Sequence, residues 1–170
     1  MELYSLGHSN HPPEKFIKLL KDNLIHCIAD VRSTPLSQWV PFANRENLEN
    51  LLSAAAIQYI YLGNLLGGHI PELNSNKKAE RLKEYDFIRR EEYFIRGLSR
   101  MRAEAEKHRT CILCSEEDPS LCHRRLLIGS SLAAQGIQVL HIRGDGRLQS
   151  EEDLWKEDQK VDQSQILFPI

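Results

Sequence analysis

Apolar positions along this chain follow two alternating rhythms, short strand-like runs and longer stretches with helical spacing, as far as about residue 142. Leu3-Tyr-Ser-Leu reads as a first strand, followed by Gly7-His-Ser-Asn10 and a helix whose start is marked by Asn10, Pro12 and Pro13. Phe16, Leu19, Leu20 and Leu24 give that helix an apolar face. Ile25 to Val31 reads as a second, buried strand. Leu48, Leu51, Leu52 and Ala55 line a second helix opened by Asn44, and Ile57 to Leu62 is a third strand. A Gly-rich loop and a polar segment follow, then a long helix from about Tyr85 to Lys107 with Phe94, Leu98, Met101 and Ala105 at helical spacing. Strand Thr110 to Cys114, a helix from Leu126 to Gln135 closed by Gly136, and strand Ile137 to Ile142 complete the alternation. The order predicts a single α/β domain, residues 2–148, with a mainly parallel sheet of about five strands and helices on both faces. Residues 149–170 form an acidic tail with a helix start at Ser150 and Asp153, and its Ile166-Leu-Phe end is expected to dock on the body or on a partner.

A chain of 170 residues is long enough for one core without crosslinks. No apolar run reaches the ~20 residues of a membrane span and no basic, apolar leader precedes the first strand, so a soluble cytoplasmic protein without membrane partners is expected. Four cysteines among polar neighbours fit a reducing compartment better than a disulfide framework. The net charge of -2 hides an Arg-rich stretch, residues 76–109, with eleven Lys or Arg against seven Asp or Glu. The overall balance does not suggest a general nucleic-acid binder.

Chemistry concentrates in Cys114-Ser-Glu-Glu-Asp-Pro-Ser-Leu-Cys122-His-Arg-Arg, where a strand hands over to a helix. Parallel strands deliver their carboxyl ends to one edge, where open α/β sheets bind ligands. His8, Ser9, Asn10, Asp30, Arg32, Gly67, Gly68, His69, Cys114, Ser115, Glu116 and Glu117 are therefore expected to converge with Cys122, His123 and Arg124, with His141 as a further candidate. Asp30 and Arg32, two apart, face one way and form either an ion pair or a carboxylate beside an anion-binding fork. Asp30, Cys114, Glu116, Cys122 and His123 are the catalytic candidates. His8, Ser9, Arg32, Gly67, Gly68 and Arg124 are the substrate-binding ones. Cys122 near a helix start, beside His123, Arg124 and Arg125, has the setting of a lowered thiol pKa. The competing reading is a buried Cys, with the arginines paired to Glu116, Glu117 and Asp118. Glu116 suits general acid or base work if its pKa is raised.

Cys111 and Cys114 resemble a C-x-x-C pair, but odd spacing in a strand sends them to opposite faces. A mixed metal site of His8, Cys114, Cys122 and His123 is the lesser reading, because eight residues is not a familiar zinc spacing, and no cofactor is expected. Gly63, Gly67 and Gly68 suit a backbone approach to a ligand or a plain turn, with no G-x-G-x-x-G or P-loop pattern. Trp39 and Phe42 suit stacking on a planar ligand, although core packing is the commoner fate of such residues.

Taken together, Gly7-His-Ser, Asp30-Val-Arg, Ser33 with Pro35, Phe42, Gly67-Gly68, Cys114-Ser-Glu and Cys122-His-Arg resemble the domain of unknown function 488 family over roughly residues 2–143. The resemblance implies an α/β fold and a shared polar cluster of His8, Asp30, Arg32, Cys114, Glu116, Cys122, His123 and Arg124, but no reaction. A weaker likeness is to rhodanese-type sulfurtransferases, through Asp30-Val-Arg32, Gly68-His-Ile-Pro71 and Cys114 in that order. Such enzymes cradle sulfur in a short loop of backbone N–H groups, whereas this chain has acids, a proline and a longer loop before Cys122.

Three functions follow from these residues: an enzyme acting on a small anionic substrate, a nucleotide or nucleic-acid end included; thiol-based sulfur transfer through Cys114 or Cys122; and a non-catalytic nucleotide or nucleic-acid binding module built on the Arg-rich stretch. A buried salt-bridge network that only holds elements together is the structural alternative.

Overall fold

The apolar runs of the strand segments become one six-stranded sheet in the structure, a computed structural model that describes the backbone of residues 1–68 and 78–167 and the side chains of 1–68 and 82–159. The strands are β1 (Glu2–Gly7), β2 (Cys27–Asp30), β3 (Gln58–Tyr61), β4 (Thr110–Cys114), β5 (Gln138–Ile142) and β6 (Leu148–Ser150). The helices are α1 (Pro13–Asp22), α2 (Arg45–Ala54), α3 (Gly63–Leu66), α4 (Lys78–Ile88), α5 (Glu92–Ala105), α6 (Ser130–Ala133) and α7 (Glu151–Leu167).

The strands lie in the order β3-β2-β4-β1-β5-β6, and all neighbours are parallel except β5 and β6. From β1 the chain moves toward β3 in two steps. From β3 it returns, crossing over β2 to β4 and then over β1 to β5. Right-handed crossovers that travel in opposite directions cover opposite faces of a sheet. Two cores result. One packs Phe16, Leu19 and Leu20 of α1 and Leu48 and Leu52 of α2 on Tyr4, Leu6, Ile28, Cys111 and Leu113. The other packs Tyr85, Ile88, Phe94, Leu98 and Met101 on Leu3, Ala29, Val31, Ile112 and Val139. Cys111 and Cys114 do fall on opposite faces, as odd spacing requires. The middle strands β1 and β4 send their chains to opposite faces, so their carboxyl ends bound a crevice at the topological switch point.

Four local predictions need correction. The long helix is two, broken at Arg89–Glu91, where Glu91 adopts an extended conformation. The six residues from Ile88 to Phe94 turn about 240° at 3.6 residues per turn, so one straight helix would carry these core residues to different sides. The break restores both to one core. Leu24 leaves the helix in a left-handed conformation at φ 53° and is exposed rather than on the α1 face. The helix after Cys122 begins as a π-helical segment, Arg124–Gly129, before α6. A sixth strand, β6, pairs antiparallel with β5 at the edge. His69, Ile70 and Pro71 and the end of the tail at Phe168 lie outside the described residues.

At the tail, the Ser150 Oγ accepts from the Asp153 N–H while the Asp153 carboxylate accepts from the Ser150 N–H, a reciprocal cap that starts α7. Leu154 of α7 is buried. Glu151 accepts from Arg125 at 2.9 Å and pairs with His141 Nε2 at 2.9 Å, and His141 Nδ1 meets Ser5 Oγ at 2.6 Å. Burial lowers the His141 pKa against the pull of Glu151, with Arg124 and Arg125 adding to the lowering. Burial opposes the Glu151 charge, yet His141 and Arg125 hold its carboxyl below the usual value of 4.5.

Both shifts make the folded state bind protons less readily than the unfolded chain, so the stability they contribute is lost on acidification. The loss is expected to begin as pH falls below about 6.5, the ordinary His value, and to steepen below about 4.5, the ordinary Glu value. Glu151→Gln is expected to lower stability by about 2 kcal/mol at neutral pH and to remove the steeper acid part. Urea unfolding between pH 7 and pH 4 measures both.

Candidate functional site

The crevice is built from the backbone outward. Pairing between β1 and β4 continues past their last residues, with His8 N–H donating to the Cys114 carbonyl at 3.0 Å and Ser9 N–H to the Ser115 carbonyl at 2.9 Å. Gly7 makes this possible, because a Cβ there would run into the Glu116 carbonyl. Ser9 then turns the chain away toward α1 in a left-handed conformation at φ 48°.

The predicted site residues separate into two groups on the two sides of the sheet edge. On the α1 side, Asp30 and Arg32 form the ion pair: Arg32 Nε donates to Asp30 Oδ1 at 2.9 Å and Nη2 to Oδ2 at 2.6 Å. The Arg32 N–H and the Tyr59 hydroxyl also donate to this carboxylate. Both side chains are buried. A guanidinium has five N–H donors, and Asp30 takes two, leaving three without a protein acceptor among the described residues. Burial raises the Tyr59 phenol, and the Asp30 charge raises it further, so it stays a donor. Phe42 lies edge-on to His8 at 6.4 Å between ring centres and tilted against Phe16 at 5.5 Å, so it packs in the core. Trp39 is exposed.

His8 is buried, with Nδ1 at 2.8 Å from the Ser9 carbonyl. A carbonyl only accepts, so Nδ1 carries the hydrogen and Nε2 a lone pair. That Nε2 is buried with no hydrogen-bond partner among the described residues. Burial lowers the His8 pKa, the Ser9 carbonyl and Asp30 and Glu116 oppose this, and Arg32 adds to the lowering. The imidazole is therefore neutral.

On the other side, Cys114 and Cys122, each 3% exposed, point at one carboxylate. Glu116 Oε2 lies 2.8 Å from the Cys114 sulfur and 3.1 Å from that of Cys122. His123 Nδ1 stands 3.6 and 3.9 Å from the same sulfurs. Burial would raise the Glu116 pKa, but the thiol hydrogen bonds, its own N–H and His123 bring it down to about 2. The raised value that would suit a general acid is thus reversed. Cys122 is lowered chiefly by its hydrogen bond with Cys114, against burial and with help from His123 and Arg124, while Cys114 is raised by the same bond and by burial. These demands compete, because a Cys122 thiolate has no hydrogen to give Glu116. The ionised Glu116 is the firmer of the two, since this residue is exposed to water. The ligand atoms of Cys114, Cys122 and His123 lie within 4.8 Å of one another, so among the described residues these three are able to hold a metal together; His8 is not in that group.

Arg124 is fully buried. Its Nη1 donates to the Glu116 carbonyl, its Nη2 to the Glu117 carbonyl at 2.7 Å, and its Nε to Ser5 Oγ at 3.3 Å. It clamps the Cys114–Cys122 loop through backbone rather than pairing with the acids. Arg125 pairs with Glu151 and Asp158, and Glu117 with Arg143. Gly67 packs on Ser33, and Gly68 on the His123 ring. The partners that sequence reasoning missed are Tyr59 for Asp30 and the Val31 carbonyl, 3.2 Å from His123 Nε2. The place of Tyr59 within a strand segment was the available signal for the first; the second is main chain and has none.

These features define a mainly parallel α/β protein with two buried thiols, a carboxylate and an imidazole clustered at its switch point. The model of the family described as Domain of unknown function DUF488 matches residues 12–130, and the chain belongs to that family. His8 precedes the matched segment. No curated protein and no solved structure gives a significant match. Among the described residues no helix is long and apolar enough to cross a membrane.

Asp30→Asn is expected to lower stability by about 3–5 kcal/mol, because it leaves the buried Arg32 charge without its partner. Tyr59→Phe, which removes one of several donors, is expected to cost about 1 kcal/mol. Guanidinium unfolding of both variants measures the difference.

Proposed function

We propose that the protein is an enzyme that acts on a small anionic substrate in the crevice between the ends of β1 and β4. The observation that carries this reading is the His8 Nε2 lone pair, buried and without a partner among the described residues. Buried polar atoms in native proteins are nearly always paired. A lone pair held in this way suits a group that a substrate supplies. A neutral imidazole there takes a proton from the substrate onto Nε2, as a general base does. The N–H donors of Arg32 that Asp30 leaves suit an anionic group such as a phosphate or carboxylate. Glu116, held ionised, serves as an acceptor and not as an acid.

The alternative of a binding module on residues 76–109 has less support. Arg89 donates to the Leu126 carbonyl and to Ser130, Arg102 to Gln135, and Arg109 lies over the Tyr4 ring. Sulfur transfer draws support from the adjacent thiols. It must overcome their burial and the carboxylate beside them, which disfavours a sulfur anion.

NMR titration with a panel of small phosphates and carboxylates, nucleoside monophosphates included, tests the reading. Shifts are expected at His8, Arg32 and Ser33. His8→Gln is expected to keep the fold and to slow turnover of any substrate found by about 100-fold or more. A panel that leaves the crevice unperturbed, or a substrate that His8→Gln turns over at the normal rate, overturns it.

A further inference from the structure

We infer that Cys114, Cys122 and His123 form a three-ligand zinc site whose fourth position faces Glu116 and solvent. The inference adds a metal to the crevice and rests on the proposed reading only for the use the metal would have. Its geometric case stands on the cluster itself.

Zinc holds thiolate sulfur at about 2.3 Å and imidazole nitrogen at about 2.0–2.1 Å, so a tetrahedral site sets sulfur and nitrogen about 3.6 Å apart. The two sulfur-to-Nδ1 distances are 3.6 and 3.9 Å. The Glu116 oxygen, at 2.8 and 3.1 Å from the sulfurs, is closer than the about 3.6 Å that two ligands of one zinc would keep. Glu116 is therefore a neighbour of the metal and not a ligand. It is exposed where the thiols are buried, so the open position is reached from its side.

The second observation is the orientation of His123. Its Nε2 lies 3.2 Å from the Val31 carbonyl, which only accepts, so Nε2 carries a hydrogen and in the neutral ring Nδ1 presents its lone pair toward the sulfurs. A metal-bound histidine donates its other N–H to a carbonyl or carboxylate in this way. Gly68 lies against this side chain, so that a Cβ there would run into the His123 Cβ and ring.

A thiol hydrogen-bond cluster explains the same contacts less well. Each sulfur meets both Glu116 and His123, and a thiol has a single hydrogen to offer. A cation satisfies both sulfurs and the imidazole together.

The eight-residue separation of the cysteines, which argued against zinc from sequence, is offset by Arg124. Its guanidinium holds the Glu116 and Glu117 carbonyls and so closes the intervening loop. Two thiolates and an imidazole select zinc over magnesium or calcium, which take oxygen ligands. Binding replaces whatever thiol protons remain, and these pass to solvent. Three protein ligands with an open position are the pattern of a catalytic zinc, and a water bound there would have Glu116 within reach as proton acceptor.

The test is zinc titration of the whole, reduced protein, with zinc content after dialysis and zinc-edge X-ray absorption. The expected result is one equivalent, with two sulfur neighbours at about 2.3 Å and nitrogen or oxygen at about 2.0–2.1 Å. Cobalt in its place should give thiolate-to-metal charge transfer and the intense visible bands of a tetrahedral site. Cys114→Ser and Cys122→Ser should each weaken binding at least 100-fold, and Gly68→Ala, which crowds the His123 side chain, by about 10-fold. Cys111→Ser, on the opposite face, and Glu116→Gln should retain one equivalent. Less than a tenth of an equivalent in the folded wild-type protein, a shell without sulfur, or loss of metal in Glu116→Gln overturns the three-ligand assignment. X-ray absorption on wild-type protein keeps the test sound where a cysteine variant fails to fold. Metal binding is read without a substrate, so its failure is distinct from failure of the His8 titration.

Discussion

The pairing of β1 with β4 beyond their last side chains, His8 N–H to the Cys114 carbonyl and Ser9 N–H to the Ser115 carbonyl, is the constraint on which the rest of the crevice depends. It fixes the start of two loops that then part to opposite faces of the sheet. It also requires Gly7, since any side chain there would occupy the place of the Glu116 carbonyl. Once those two bonds are made, the His8 imidazole and the Cys114 sulfur are held a strand apart, and every other polar group of the site is placed relative to them.

The two sides of the edge use charge differently. Around Asp30 the charges are matched: a guanidinium, a main-chain N–H and a phenol surround one carboxylate. Such a buried pair is costly to break and adds little over an apolar equivalent, so its value is in orienting Arg32. Around Cys114 and Cys122 the charges are not matched. A carboxylate, two sulfurs and a nitrogen lone pair meet with few hydrogens among them. Repulsion among lone pairs around two buried sulfurs is the reason to look there for a positive partner, whether proton or metal.

Arg124 shows why the most charged part of the chain is not simply its binding surface. With its side chain fully buried, it satisfies main-chain carbonyls of a loop that has no regular structure to satisfy them. Through Ser5 and His141 it also stands in line with Glu151, so that the start of α7 and the loop carrying Glu116 share one hydrogen-bonded network. The π-helical segment that begins at Arg124 gives a wider turn just where its side chain passes under the loop.

Hydrophobic periodicity by itself determined the alternation of strands and helices, the parallel sheet and the edge at which polar residues gather, because burial of one face imposes a fixed spacing on the sequence. The odd spacing of Cys111 and Cys114 in a strand determined that they part company, and the polar pair Ser150 and Asp153, three apart, marked the reciprocal cap. The break at Arg89–Glu91 was hidden because Arg and Glu are good helix formers, and only the phase of Ile88 against Phe94 on a shared core demanded it. Tertiary structure alone decided that the polar residues form two groups on opposite sides of the sheet edge, since spacing along a chain carries no information on distances between strands. It alone decided the sign of the Glu116 shift, which depends on two thiols facing its carboxylate, and the main-chain role of Arg124. An eight-residue gap says nothing of closure when the clamp that closes it is a buried arginine bound to carbonyls.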